Sequence, residues 1–423
     1  MSDNNISAAQ EPIDAAHAGS LQINVVSALG MIPIENATVT ISITGDPDSP
    51  IETLTTDSSG QTPIVELPAP APALSQTPSE EQPYSEYNIQ VSAEGYDPTL
   101  VSGTEILPDE LSLQNIRLSP LEAQDTDGEI IVIPAHTLFG EYPPKIPEDE
   151  IKPLFDTGEI VLSRVVVPEY VIVHDGVPSD PTAPNYWVRY KDYIKNVASC
   201  EIYATWAEAA IYANILTIMS FTLNRVYTEW YRNQGYDFTI TSSTAYDQKW
   251  IYGRNIYENI DFLVDTVFAN YLSRPGVRQP ILTSYCDGER TTCTGLSQWN
   301  SQYLAEEGYS AIEIIRYFFG NDMYINTADY ISGVPSSYPG YALSVGASGD
   351  KVRQLQTELN RIARNYPALP TISTDGIYGS RTSDSVRTFQ RIFGLPVTGV
   401  TDYATWYKIS DIYVGVTRIA GPT

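Results

Sequence analysis

The chain has 423 residues, room for two to four domains, and a 42% hydrophobic content that supports real cores and excludes global disorder. Its net charge of −28 excludes the basic surface that a nucleic-acid partner requires. No apolar stretch is long and unbroken enough for a membrane span, and the start, MSDNNISAAQEPIDAAHAG, lacks the basic and apolar regions of a secretory signal.

The charge is unevenly placed. Through Ile130 there are 21 acidic residues and one basic residue, Arg117, so the first third reads as a segment with a separate job. Residues 1–19 read as a disordered polar tail. From residue 20 to 118 the pattern is β: Leu21, Ile23 and Val25 alternate with polar residues, as do Val39, Ile41 and Ile43, then Tyr87, Ile89 and Val91. Asp57-Ser-Ser-Gly60 predicts a turn, and Pro68–Pro83 a long loop between strands. Residues 119–158 are rich in proline and acid, which predicts an extended, unpaired linker open to proteolysis.

A central domain is expected over 159–328. It opens on two strand-like runs, VLSRVVV and EYVIVHDG, separated by Pro168. A short helix over Asp192–Val197 and a long buried one follow, the latter with Ala209, Ile211, Leu216, Met219, Leu223, Val226 and Trp230 at helical spacing and Thr205/Glu208 spaced as a capping box. A loop dense in Ser, Thr and Tyr comes next, then an amphipathic helix over Ile256–Tyr271. Glu201 falls at the junction of the first two helices, near the start of the long one, flanked by Tyr203 and Trp206. Aromatic neighbours desolvate a carboxyl group and favour the protonated form that a general acid needs, whereas a helix N-terminus favours the anion. Both readings stay open from the residues alone.

Metal chemistry has little support. Only His17, His136 and His174 occur, in the tail, the linker and the core respectively, too few in one place for a catalytic zinc site. Cys286 and Cys293 make half a zinc site at best and read as free or loosely paired thiols; Cys200 reads as a small half-buried residue and not a nucleophile. No metal and no cofactor are expected.

From residue 341 to 423 a third unit is expected, after a linker over 329–340. Val352, Leu355, Leu359 and Ile362 share one helix face, and DGIYG, the Phe389–Gln390 pair, the Gly394–Leu395 pair, Thr398–Gly399 and Thr405–Trp406 follow. This segment resembles the three-helix peptidoglycan-binding domain 1 module over its full length, and Tyr378, Arg381 and Tyr403 are the residues expected to line its glycan groove.

Two further resemblances bear on the rest. Residues 20–118, in particular the GYDP segment, resemble a transthyretin-like β-sandwich, a module that is structural or inhibitory. The stretch CEIYATWAEAAIYANILTIMSFTLNR resembles the signature of the stage II sporulation protein D family, an α+β domain in which a Glu precedes a Trp and an "EA…A" helix. VVVPEYVIVHDGVPSD, NYWVRYKDYIKNVAS, FTLNRVYTEWYRN and RPGVRQPILTSYCDG are similar to spore cortex-lytic enzymes. The resemblance implies a peptidoglycan lytic transglycosylase with Glu201 as its single acid/base. It also implies a zymogen in the bacterial spore, cut by a subtilisin-like protease, and a cut is expected near Asp125–Ile133. Tyr203, Trp206, Ser242, Thr244, Tyr246, Asp247, Trp250 and Tyr252 are expected to position the glycan. The His and Cys zinc ligands of that family are missing from the TITSSTAYDQ loop. Alternatives remain: a muramidase with Asp247 or Asp175 as base, an amidase, or a non-catalytic protein anchored to peptidoglycan.

Overall fold

A computed structural model describes residues 17–121, 128–152 and 164–417. Alternation builds the first unit. Its strands are β1 (His17–Ser27), β2 (Thr38–Ile43), β3 (Pro50–Thr55), β4 (Val65–Ala69), β5 (Ser85–Ser92), β6 (Thr99–Ile106), β7 (Leu111–Leu118) and β8 (Glu129–Val132). One sheet runs β7-β1-β4 and the other β3-β2-β5-β6-β8. Leu21, Ile23 and Val25 from the first meet Val39, Ile41, Ile89 and Val91 from the second in one core, the layout of a two-sheet sandwich. The predicted turn forms: the Gly60 N–H donates to Asp57 O at 2.9 Å, and Gly60 takes a φ of +74° that a side chain would strain.

The expected linker is not extended and unpaired. Its EIIV run, β8, is apolar and β-branched, and it adds in parallel to β6, whose edge offers unpaired peptide groups. Residues 133–152 then lie against the central unit. Of the expected cut region, 125–127 fall outside the described residues and 129–132 are this strand.

The central unit contains β9 (Val166–Val167), β10 (Tyr170–His174), β11 (Asn185–Arg189), α1 (Tyr190–Glu201), α2 (Glu208–Tyr227), β12 (Ile240–Thr241), β13 (Ile256–Tyr257), α3 (Glu258–Val267), β14 (Asn270–Ser273), β15 (Tyr285–Cys286), β16 (Leu296–Ser297), α4 (Gln298–Glu306), α5 (Ala311–Phe319) and β17 (Tyr324–Thr327). Helix α2 is buried along nearly its whole length, with α1, α3, α4, α5 and β14 around it. Its N-cap is Ala207, so the capping box does not form; the Thr205 hydroxyl meets Ser75 Oγ at 2.7 Å instead. The first helix is twice as long as expected, because Tyr190 at one end and Ala198 and Cys200 at the other extend its buried face.

The sandwich is welded to this unit. β13 pairs with β7, and Arg254 makes a bidentate pair with Glu105 of β6 at 2.5 and 2.6 Å. Both partners are buried; burial pushes Glu105 up to about 7 against the pull of the guanidinium.

The C-terminal unit is three-helical, as expected: α6 (Asp350–Ala363), α7 (Ser380–Ile392) and α8 (Tyr403–Thr417), preceded by β18 (Tyr330–Ile331), which pairs with β9. Val352, Leu355, Leu359, Ile362, Val386 and Phe389 form its core. The expected linker 329–340 is packed, since Trp406 Nε1 donates to Ser336 O at 3.1 Å. An ion network ties the module down: Lys408 of α8 reaches Asp261 and Asp265 of α3 at 3.4 and 2.8 Å, Lys195 of α1 reaches the same two at 2.6 and 3.0 Å, and Lys191 joins Asp265 to Asp411.

One module residue carries a pH prediction. Glu358 is buried on α6, accepts one bond from Gln354 at 2.8 Å, and is raised from 4.5 to about 7 by burial. A carboxyl group raised in the folded state binds its proton more tightly there, so the native chain loses stability as pH rises through the 4.5–7 window. Glu358→Gln should therefore gain on the native chain by up to about 3 kcal/mol between pH 5 and pH 8, read as the change in the difference between their urea midpoints. An unchanging difference would refute it.

Candidate active site

Helix α1 ends on Glu201, and six residues of turn separate it from α2. The carboxyl group therefore sits at the C-terminus of one helix, not at the N-terminus of the long one, so no helix N-terminus faces it. Four donors orient it instead. Oε1 accepts from the Lys249 N–H at 2.9 Å and from Tyr285 OH at 3.3 Å; Oε2 accepts from Thr137 Oγ1 and Gln298 Nε2, both at 3.3 Å. Tyr285 comes from β15 and Gln298 opens α4; the same amide also donates to the Glu201 carbonyl at 2.9 Å. Glu201 is buried, 5% exposed.

Its lid is the strap 133–152. Thr137 donates from both N–H and Oγ1 to Cys200 O, at 3.1 and 2.7 Å. His136 stacks on Tyr203 at 4.4 Å. Burial holds His136 well below the ordinary imidazole range; its neutral ring donates from Nε2 to Ile202 O and accepts the Leu138 N–H at Nδ1. The linker histidine is thus a core residue. Lys145 inserts its ammonium group beneath the strap. It donates to Asp247 O and lies 4.9 and 5.0 Å from the ring centres of Phe221 and Tyr285. Burial draws Lys145 down to about 8, although Glu201 and Asp247 pull the other way. Glu148 accepts from Arg225 at 2.5 and 3.1 Å and closes the far end.

Cys286 and Cys293 are not free thiols: they form a disulfide, their Cα atoms 5.5 Å apart. The loop it closes presents Arg290, which grips the strap through the carbonyls of Thr137, Phe139 and Gly140 at 2.8, 3.2 and 2.6 Å. Cys200 is fully buried, with its thiol pushed up to about 12, which suits the reading that it is no nucleophile. Among the described residues no group of three or more His, Cys, Asp or Glu could hold a metal ion.

The predicted site residues divide. Trp250 follows Lys249 and packs with Tyr186 and Tyr252, the last half-exposed and bonded to Glu129 of β8 at 3.2 Å. Tyr203 and Trp206 are buried rather than lining a groove. Trp206 Nε1 donates to Ser75 O at 2.8 Å, so the long sandwich loop covers it. Ser242 donates to Asp175 at 2.7 Å and Thr244 to Pro143 O at 3.0 Å; Tyr246 lends its carbonyl to Arg225 at 3.1 Å. Asp247 is a correction: wholly buried, it accepts from Arg225 Nε at 2.7 Å, Tyr231 OH at 2.6 Å, and Thr241 N and Oγ1 at 2.9 and 2.7 Å, which makes it structural and unavailable as a base. In the C-terminal module Arg381 is exposed, but Tyr378 is core, bonded to Gly399 O at 3.0 Å, and Tyr403 packs against Phe268 of the central unit. Fully buried, Tyr378 lines no groove.

Sequence reasoning missed Thr137, Lys145, Tyr285 and Gln298. One signal was present: Lys145 is the sole Lys or Arg between Arg117 and Lys152. A cavity of about 100 Å³ exists at the junction of the three units, lined by Met31, Lys191, Lys408 and Asp411, and Glu201 does not line it.

Residues 348–409 match the peptidoglycan binding domain family, so the chain carries a peptidoglycan-binding domain at its C-terminus. No curated protein matches the chain. Among solved structures, the SleB N-terminal domain is 33% identical over 17% of this chain and 93% of that one, with a TM-score of 0.15. GBS52, the minor pilin of Streptococcus agalactiae, is 15% identical over 26% of this chain and 48% of that one, with a TM-score of 0.18. The Bacillus anthracis TIE protein is 15% identical over 25% of this chain and 17% of that one, with a TM-score of 0.18. TM-scores of this size leave the fold of the whole chain unassigned. No helix among the described residues is long and apolar enough to cross a membrane.

Proposed function

We propose that the chain is a spore cortex-lytic enzyme of the SleC type: a peptidoglycan lytic transglycosylase with a stage II sporulation protein D-like domain, stored in a latent form. The observation that carries this reading is Glu201, a carboxyl group held by four donors and closed off by strap residues that precede the central unit in the chain. The peptidoglycan-binding domain on the same chain supports the substrate class.

One carboxyl group suffices for this chemistry. Protonated Glu201 gives its proton to the glycosidic oxygen of the muramic acid–glucosamine bond, and the C1–O bond breaks. The muramic acid C6 hydroxyl closes on C1 and returns its proton to Glu201, leaving a 1,6-anhydro end. A hydrolase would need a second carboxylate for water, and Asp247, one of the two expected bases beside Asp175, is locked to Arg225. Latency follows from the lid, and a subtilisin-like protease in the spore, cutting near Asp125–Ile133, would free the strap from its β8 anchor on the sandwich and let it leave Glu201. The test is mass spectrometry of muropeptides released from spore cortex peptidoglycan by the protease-nicked chain. Anhydro ends are expected; reducing ends alone would replace the transglycosylase with a muramidase.

A further inference from the structure

We infer that the strap is a pseudosubstrate: the Lys145 ammonium occupies the place, over Phe221 and Tyr285 and beside Glu201, where the cationic sugar ring of the glycosidic transition state forms. This rests on the proposed glycan cleavage and adds what fills the site and which ligands it selects.

Glycosidic cleavage passes through an oxocarbenium-like state with positive charge at C1 and the ring oxygen. A site for it needs a negative group, π faces and dipoles aimed at that charge. Those are the surroundings of Lys145. Its ammonium lies 5.0 Å from the ring centre of Tyr285, whose hydroxyl is 3.3 Å from Glu201 Oε1. Phe221 supplies a second ring at 4.9 Å, and the Asp247 carbonyl accepts from the ammonium directly. The Glu201 and Asp247 carboxylates both attract it. A buried lysine costs desolvation energy, which the Asp247 carbonyl and the two rings offset. The flanking chain is pinned on both sides as a bound peptide would be: Thr244 Oγ1 donates to Pro143 O at 3.0 Å, and Ile146 N–H to Ala245 O at 2.7 Å. The Pro143-Pro144-Lys145-Ile146-Pro147 sequence is stiff, so the lysine is presented at little entropic cost.

The experiment uses the full-length chain. Lys145→Met keeps the stem and removes the charge; Lys145→Arg keeps the charge. With spore cortex peptidoglycan as substrate, full-length Lys145→Met should release muropeptides at least tenfold faster than the native full-length chain. Lys145→Arg should stay silent, and adding Glu201→Gln to Lys145→Met should silence it again. A binding readout stands apart from activity. A protonated N-acetylglucosamine-type iminosugar, titrated calorimetrically, should bind the nicked chain and full-length Lys145→Met at least tenfold more tightly than the native full-length chain, and its neutral lactam counterpart should show no such preference. If Lys145→Met melts at the native temperature yet stays as silent as the native chain, while the nicked chain is active and binds iminosugar and lactam alike, the pseudosubstrate is overturned and the cleavage reading stands. Charge-selective binding that depends on Lys145, in a nicked chain that cuts nothing, would keep the cation site and overturn the cleavage reading.

Discussion

Glu201→Gln is expected to lower muropeptide release by the nicked chain by about 10³-fold or more, toward the upper end of what one general acid–base group supplies. Two proton transfers pass through the same side chain here, and an amide performs neither. The amide is isosteric, and its oxygen keeps the Lys249 N–H as a partner, so the thermal midpoint should move by only a few degrees. Both quantities are needed: turbidity loss of decoated spores for activity, and a melting curve for fold. Unchanged lysis would remove Glu201 from the chemistry. Lost lysis with a collapsed melting curve would say only that the carboxyl group holds α1, β15 and α4 together.

The largest stability effect should come from the other carboxylate. Asp247 has four donors and no solvent contact, and Arg225 beside it is equally buried. Removing one partner of a buried pair leaves the other as an uncompensated charge, at a cost of about 3–5 kcal/mol. Asp247→Ala should therefore lower the unfolding free energy by that amount, read from the urea midpoint and slope. Glu148 offsets part of it, since it also faces the guanidinium. The expected pattern is the reverse of Glu201→Gln: a large stability loss, with the activity of the surviving folded fraction close to native after nicking. A stable, folded and inactive Asp247→Ala chain would restore Asp247 as a catalytic group and with it a two-carboxylate mechanism.

Local patterns were legible where one physical effect dominates. Alternation placed β1, β2 and β5, the helical spacing of Val352 to Ile362 placed α6, and the Asp57–Gly60 turn chemistry held. Glu201 stood out because it sits where two helix patterns break. Side-chain direction was less legible. Tyr378 and Trp206 look alike in sequence to groove residues, and only tertiary packing turns them inward. Composition misled over 119–158: proline and acid usually mean a solvated linker, yet EIIV carries β-propensity of its own and Lys145 has a buried carbonyl and two aromatic rings to meet. Thr205 and Glu208 have capping-box spacing, but Thr205 found a better partner in Ser75, 130 positions away. Such long-range competition leaves no local trace. The two cysteines were read by count alone, and their pairing depends on a loop that brings them within reach.

The knot of lysines and aspartates between α8, α1 and α3 has a mechanical consequence. An enzyme whose wall-gripping part swings on a tether can attack any bond within the tether's radius. Here the peptidoglycan-binding module and the central unit share one chassis, with no slack between them. On the proposed function, wherever the module settles on a strand, the bond to be cut lies one set stride away, and the polymer has to move for the next stroke.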